Sequence, residues 1–322
     1  MTRIGFIGGG GIAHRHLHVL KDFNDVELVA VADPARADET AQTFGMTPYG
    51  SFEQMLDEAD LDAAYVCVPP FAHGPMERAL AERGVPFFCE KPLALDLETA
   101  ENVARQVEEA GLVTAVGYHW RYMSHVEEAK HLLDERPPRL ALGYWLGDTP
   151  PPAWWHRSDG SGGQMVEQTT HLFDLARHLV GEVKSVTAVG GNASRDAFPD
   201  LDIHDATAAT VTFRSGAVGT FASTCLLNWT HRVGLHLFGE GLAVEVGEHE
   251  VMIDVGQGRP VTPAHLDPVV VEDRDFVDAV QGKENRVRVP YAEALKTHRL
   301  TLAAQQALES GTTITLDQPA HV

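Results

Sequence analysis

The feature that most constrains this chain lies at its start. A short β-branched run, Arg3–Ile7, leads directly into Gly8-Gly9-Gly10-Gly11-Ile12-Ala13. Four glycines in a row do not belong inside regular structure, because ordering them costs more backbone freedom than ordering any other residue. They form a turn. Beyond it, Ile12, His16, Val19 and Leu20 recur at helical spacing. A strand, a glycine turn and a helix open a βαβ unit. In frame the turn reads G-x-G-x-x-A. Gly8 permits the tight bend, Gly10 lets backbone approach a pyrophosphate, and Ala13 lets the helix close on the strand.

The alternation continues. Val26–Ala32 is apolar except for Glu27 and ends at Asp33-Pro34. Ala35–Phe44 is helical in composition, Ala63–Val68 is apolar, Ala72–Arg83 is helical, and Val85–Cys89 reads as a strand. Asp96 is the expected N-cap of a helix over Leu97–Ala110, with Gly111 at its C′ position and Val113–Val116 as a further strand. Near-continuous apolar strands alternating with helices predict a parallel sheet covered on both faces. With right-handed crossovers this is a doubly wound Rossmann domain.

Near Gly117–Tyr122 the alternation stops, so a domain boundary is placed at residue 120, with 1–120 binding a dinucleotide and 121–322 forming an α+β domain. Its expected features are one helix over Gln164–Leu179, then strands in succession, then helices over Asp273–Val280 and Tyr291–Leu308. Ala209, Val211 and Phe213 alternate with Thr210 and Thr212, which predicts a large, open, mostly antiparallel sheet with one packed face. A second copy of the chain is the expected cover for the other face, as a dimer or tetramer.

The charge balance is 25 basic against 46 acidic residues, a net −21. That field repels phosphate backbones and anionic lipid heads, so neither nucleic acid nor a membrane is an expected partner. Cys67, Cys89 and Cys225 form no CxxC pair and lie in apolar runs, the pattern of free thiols in a reducing compartment. The N-terminus reads as a strand rather than a signal peptide. A cytoplasmic protein is expected.

Several residues carry chemistry. Asp33 follows the second strand about 20 residues after Ala13, where an acidic side chain takes the adenosine ribose hydroxyls. Its charge opposes a 2′-phosphate and favours NAD; nearby Arg36 keeps NADP open. Gly8, Gly10, Gly11, Ile12, Asp33, Pro69, His73 and Glu90 are the expected cofactor contacts, because ligands of doubly wound sheets lie outside the carboxyl ends of the strands. Lys91, in Glu90-Lys91-Pro92, follows the fourth of these strands, and its ammonium can polarise a substrate hydroxyl or carbonyl. On the predicted Gln164–Leu179 helix, Glu167 and His171 are spaced i, i+4, and Asp174 lies three beyond. A carboxylate one turn from an imidazole fixes its tautomer and raises its pKa. No HExxH or cysteine-partnered cluster has ligand spacing, so no metal is expected. His14, His16 and His18 point in different directions from the first helix and are read as surface and packing residues.

Taken together these motifs resemble the Gfo/Idh/MocA family of NAD(P)-dependent oxidoreductases. The resemblance rests on Gly8-x-Gly10-x-x-Ala13, Asp33-Pro34, Pro69-Pro70-x-x-His73, Glu90-Lys91-Pro92, Gly117-Tyr118-His119-Trp120-Arg121-Tyr122, Gly162-Gly163 and Glu167-x-x-x-His171-x-x-Asp174. It implies a dehydrogenase acting on CH–OH groups of a sugar, inositol or related polyol. Lys91 and His171 match the family's catalytic lysine and histidine, with Glu167 beside them. Lys91, Arg121, Trp155 and His171 match substrate contacts. Glu167 stands where the family often has aspartate, and Thr169 where it often has glycine. The alternatives are a non-catalytic NAD(P)-binding sensor, and redox-assisted elimination or glycoside cleavage with retained NAD.

Overall fold

The structure, a computed structural model, describes residues 1–193 and 195–316. Its N-terminal elements are β1 (Thr2–Ile7), α1 (Gly11–Leu20), β2 (Val26–Ala32), α2 (Ala37–Phe44), β3 (Thr47–Tyr49), α3 (Phe52–Glu58), β4 (Ala63–Val66), α4 (Pro75–Glu82), β5 (Phe87–Cys89), α5 (Leu97–Ala110) and β6 (Thr114–Val116). The strands form a parallel sheet in the order β3-β2-β1-β4-β5-β6. This is the doubly wound dinucleotide-binding order, whose switch point lies between β1 and β4. All four residues of β4 and all three of β5 are buried, which explains their unbroken apolar runs.

Asp96 caps α5 by accepting the Thr99 N–H at 2.8 Å, and Gly111 ends it at φ +62°. β3 and α3 carried no sequence signal. β3 is a three-residue edge strand containing Pro48, and two of its residues are exposed, so no alternation can develop. The helix expected from Ala72 starts at Pro75. Gly74, at φ +110°, bends the chain first, and Pro75 suits the opening position of a helix.

The chain then builds α6 (Ser124–Glu135), β7 (Leu140–Asp148), α7 (Ser158–Ser161), α8 (Gln164–Glu167), α9 (Thr170–Val180), β8 (Val183–Gly191), β9 (Ala206–Phe213), β10 (Val218–Leu227), β11 (Arg232–Gly239), β12 (Leu242–Gly247), β13 (Glu250–Asp254) and β14 (Val261–Pro263). With β15 (Ile314–Thr315), these strands form a nine-stranded sheet, β14-β13-β12-β11-β7-β10-β9-β8-β15. Every pairing is antiparallel except β7–β10. The predicted alternation holds: Ala209, Val211 and Phe213 are buried, and Thr210 and Thr212 are exposed.

Two helices follow β14: α10 (Pro268–Val280) and α11 (Tyr291–Ser310). The chain divides into two compact units, Met1–Tyr122 with Leu266–Leu295, and Met123–His265 with the segment from Lys296 on. A single cut after residue 120 therefore leaves out the return of 266–295. Phe276 and Val277 of α10 enter a core with Phe6, Tyr65 and Phe88, while Val289 and Tyr291 enter one with Phe87 and Val103. Helical periodicity shows that a face is apolar, not which core receives it.

The single helix expected over Gln164–Leu179 is two helices. At the break Thr169 N–H reaches back five residues to the Gln164 carbonyl at 3.0 Å. Its hydroxyl lies 2.5 Å from Ser223 Oγ and 3.3 Å from the Gln164 carbonyl oxygen. A side chain that offers the backbone another partner competes with the helix ladder.

Candidate active site

The phosphate loop follows from β1. Gly8 sits at φ +100°, and a Cβ there would fall 2.2 Å from the Cys67 carbonyl oxygen, so no other residue fits. Gly10 and Gly11 differ: the nearest atom to a Cβ on Gly10 is Arg36 Nη1 at 3.8 Å, and on Gly11 nothing lies within 4 Å. The space over the loop is open. The first turn of α1 carries no acidic side chain, and its N–H groups at Gly11, Ile12 and Ala13 have no helical partners. A helix N-terminus with free N–H groups and open approach fits the pyrophosphate of a dinucleotide.

Asp33 ties this loop to β2. One carboxylate oxygen accepts the Gly9 N–H at 2.8 Å, and the other accepts those of Ala35 at 2.8 Å and Arg36 at 2.9 Å. Burial raises its pKa, but these three N–H donors outweigh it and leave the carboxyl below its ordinary value. With about four acceptor positions on a carboxylate, capacity remains for a ribose hydroxyl.

The loops after β4, β5 and β6 carry the other first-unit candidates. Pro69 is half-buried at the start of a tight turn over Pro70–Ala72. His73 turns inward: Nδ1 lies 2.5 Å from Glu77 Oε1, and Cys89 Sγ lies 3.6 Å away. Tetrahedral ligands sharing a zinc ion at bond lengths near 2.1 Å stand roughly 3.4 Å apart, so the short contact fits a hydrogen bond. Glu77 also accepts the Gly74 N–H at 2.6 Å, which fixes the entry to α4. Lys91 is half-buried, and its peptide bond to Pro92 is cis. Arg121 is buried, with Nη2 3.2 Å from Glu293 Oε1, and its carbonyl accepts from Arg288 at 2.6 Å.

Two residues escaped the sequence reading. His119 lies in the Gly117–Tyr122 motif. Burial, then the charges of Arg15 and Lys91, bring its pKa down to about 4, so the imidazole is neutral. Its place in a motif already singled out was a usable signal. The other is His16, the wholly buried packing residue of the three, whose polar partners the sequence reading did not find. Nδ1 lies 2.8 Å from Asp273 Oδ1, and Nε2 lies 3.1 Å from Glu90 Oε1. Asp273 also accepts the Tyr65 hydroxyl at 3.1 Å. No local signal marks this triad, since its partners lie far apart in sequence.

The second unit holds the remaining candidates. His171, in the first turn of α9, stacks on Trp145 with ring centroids 5.8 Å apart. Glu167 ends α8, and its Oε2 accepts the Trp155 indole N–H at 2.9 Å. Because of the break, Glu167 and His171 do not share one helix face. Asp174 accepts the Thr297 hydroxyl at 2.7 Å, and Arg177 Nη1 lies 4.0 Å from it.

Comparison with known proteins bears on both units. A family model described as an oxidoreductase family with an NAD-binding Rossmann fold matches residues 2–118, and a GFO/IDH/MocA C-terminal domain model matches residues 138–245. The chain belongs to the Gfo/Idh/MocA family. Among its Gfo/Idh/MocA relatives, scyllo-inositol 2-dehydrogenase (NAD(+)) of Bacillus subtilis is 27% identical, over 76% of this chain and 74% of that protein. Inositol 2-dehydrogenase of Rhizobium meliloti is 28% identical, over 82% of each. The structure of a levoglucosan dehydrogenase in complex with NADH superposes with a TM-score of 0.88 at 21% identity, covering 99% of this chain and 100% of that one. The chain is an NAD-binding oxidoreductase, and its first unit is the Gfo/Idh/MocA Rossmann domain.

Proposed function

We propose that this protein reversibly oxidises a secondary hydroxyl of a sugar, inositol or related polyol. The observation that carries this reading is Lys91 at the carboxyl end of β5, beside the buried Glu90, in an NAD-binding Rossmann unit. Bound NAD supplies the carbon that accepts the substrate's hydride. The chain's residues do the rest. The N–H groups at Gly10, Gly11 and Ile12 hold the pyrophosphate. Gly8 and Pro69 shape the cradle, His73 fixes Glu77, whose carboxylate holds the entry to α4, and Asp33 takes the adenosine ribose while opposing a 2′-phosphate. Lys91 Nζ binds the substrate hydroxyl and, with His171, takes its proton as the carbonyl forms. Such acid–base work is worth about 10²–10⁴-fold in rate. Glu167, held by the Trp155 indole, orients rather than transfers protons. Arg121 and Trp155 bind further substrate hydroxyls.

The chain acts as a homo-oligomer in the cytoplasm, with no nucleic acid or membrane as partner. The open sheet face, where Leu142 and Val218 are exposed, supports the first part. The buried free cysteines and the net charge of −21 support the rest.

The test is a thermal-stability titration with NAD, NADH, NADP and NADPH, followed by a polyol screen read by NADH absorbance. A ligand at about 100 times its Kd adds about 2.7 kcal/mol of stability. Stabilisation by NAD(H) above NADP(H), and net NADH formation with an inositol or sugar, are expected. Bound NAD with no net NADH from any polyol would point instead to cofactor-recycling elimination.

A further inference from the structure

His16 is a buried titratable group that the mechanism above does not use. It is on α1, the helix whose N-terminus forms the phosphate cradle, and it faces away from that cradle into the core. Tyr65 and Phe88 wall it in, with ring centroids 5.3 and 4.8 Å away. Asp273 and Glu90 take its two ring nitrogens. The second oxygen of Glu90 accepts the backbone N–H of Lys91 at 3.1 Å. Glu90 has no room to turn: a Cβ on Gly117 would lie 2.5 Å from its Oε1, so the carboxylate fills the space that glycine leaves. One chain of hydrogen bonds thus runs from α10 through α1 to the lysine loop.

We infer that His16, seated by Asp273, is a positioning residue that holds Glu90 and through it the backbone of Lys91. The inference rests on the catalytic role proposed for Lys91. Burial disfavours the imidazolium, but the Asp273 and Glu90 carboxylates outweigh it and raise the His16 pKa well above its ordinary value. Glu90 responds in kind: burial raises its pKa, while His16 and Lys91 bring it below the usual carboxylate range. Glu272, also buried there, is pushed well up by burial and adds no charge. A buried ionic network is a weak source of net stability, because desolvation offsets its attraction. It does hold one geometry. A shift of about 1 Å in a reacting group can cost about 10²-fold in rate.

Two substitutions separate positioning from packing. His16→Gln places an amide N–H near the imidazole Nε2 position and keeps the donor to Glu90. His16→Asn places one near Nδ1 and keeps only the contact with Asp273. Both remove the charge and the ring. Thermal midpoint, NAD dissociation constant, KM and kcat are measured for both, with Lys91→Met as reference. The expected result is kcat within about 10-fold of wild type for His16→Gln and about 10²-fold lower for His16→Asn, with similar midpoints and NAD affinities within about threefold. Equal kcat for the two, or a kcat loss matched by lost NAD affinity, overturns the inference. If either variant fails to fold, Glu90→Gln decides: it keeps the shape but has one acceptor oxygen for two N–H groups. It is expected to lose kcat at near-constant NAD affinity, and unchanged kcat overturns the inference. Turnover surviving in Lys91→Met sinks the proposed function itself. A dead Lys91→Met beside a fully active His16→Asn sinks only the positioning role.

Discussion

The buried histidines of α9 and α1 teach opposite lessons about reading charge from sequence. On α9, His171 has Asp174 one turn away, the arrangement expected to govern the imidazole. In the folded unit Asp174 also accepts the Thr297 hydroxyl and lies near Arg177, and the histidine stacks on Trp145. On α1, His16 has no acidic residue on its own helix, yet Asp273 and Glu90 occupy both of its nitrogens. Helical spacing brings side chains near each other. It does not decide which partner wins once a core closes around them, because every buried polar atom then competes for whichever group lies nearest.

The largest effect expected is at the residue on which both histidine roles depend. Lys91→Met should lower kcat by about 10³-fold while NAD still raises the melting temperature. Full turnover would remove the chemistry from both helices. Next comes His171→Asn, with a loss of about 10²-fold in kcat and of one limb of the pH–rate profile. If His171→Asn retained kcat and His16→Asn did not, the two helices would exchange roles.

A smaller effect concerns stability and pH. The folded-state pKa of His16 lies above its unfolded value of 6.5. Its contribution is therefore fully present below pH 6.5 and is lost as pH rises through the folded pKa. His16→Gln should cost about 2 kcal/mol on the acid side and progressively less at alkaline pH, read by urea unfolding across the range. A cost that instead grows as pH rises through 6.5 would mean that the imidazole is neutral in the native state. The smallest change is Trp155→Phe, which removes the indole N–H from Glu167 and keeps a ring. About fivefold in kcat with unchanged NAD affinity is expected, matching one hydrogen bond of about 1 kcal/mol.

The parts of this fold that could be read in advance are those whose cause is local. The Gly8 turn, the Asp96 cap, the Gly111 terminus and the alternation along β9 each answer to a few adjacent residues. β3 and α3 were missed because three or seven residues are too few to show a period. The helix break at Thr169 was missed because its cause includes Ser223, distant in sequence. The phosphate loop was visible, since it is a backbone device and glycine spacing records backbone demands directly. The polar network behind Lys91 was not, because it draws on α1, β4, the β5 loop and α10 together.

By itself, then, the amino-acid sequence determined the two architectures, the parallel sheet with its phosphate loop and the alternating sheet that follows. Hydrophobic period and turn chemistry are properties of neighbouring residues. Tertiary structure alone decided that residues 266–295 complete the first core, that Glu167 serves the Trp155 indole, and that His16 stands between Asp273 and Glu90. Periodicity says which face of an element turns inward. Which buried donor meets which buried acceptor follows only from where the backbones carry them, and burial then makes that pairing obligatory by removing water as a competitor.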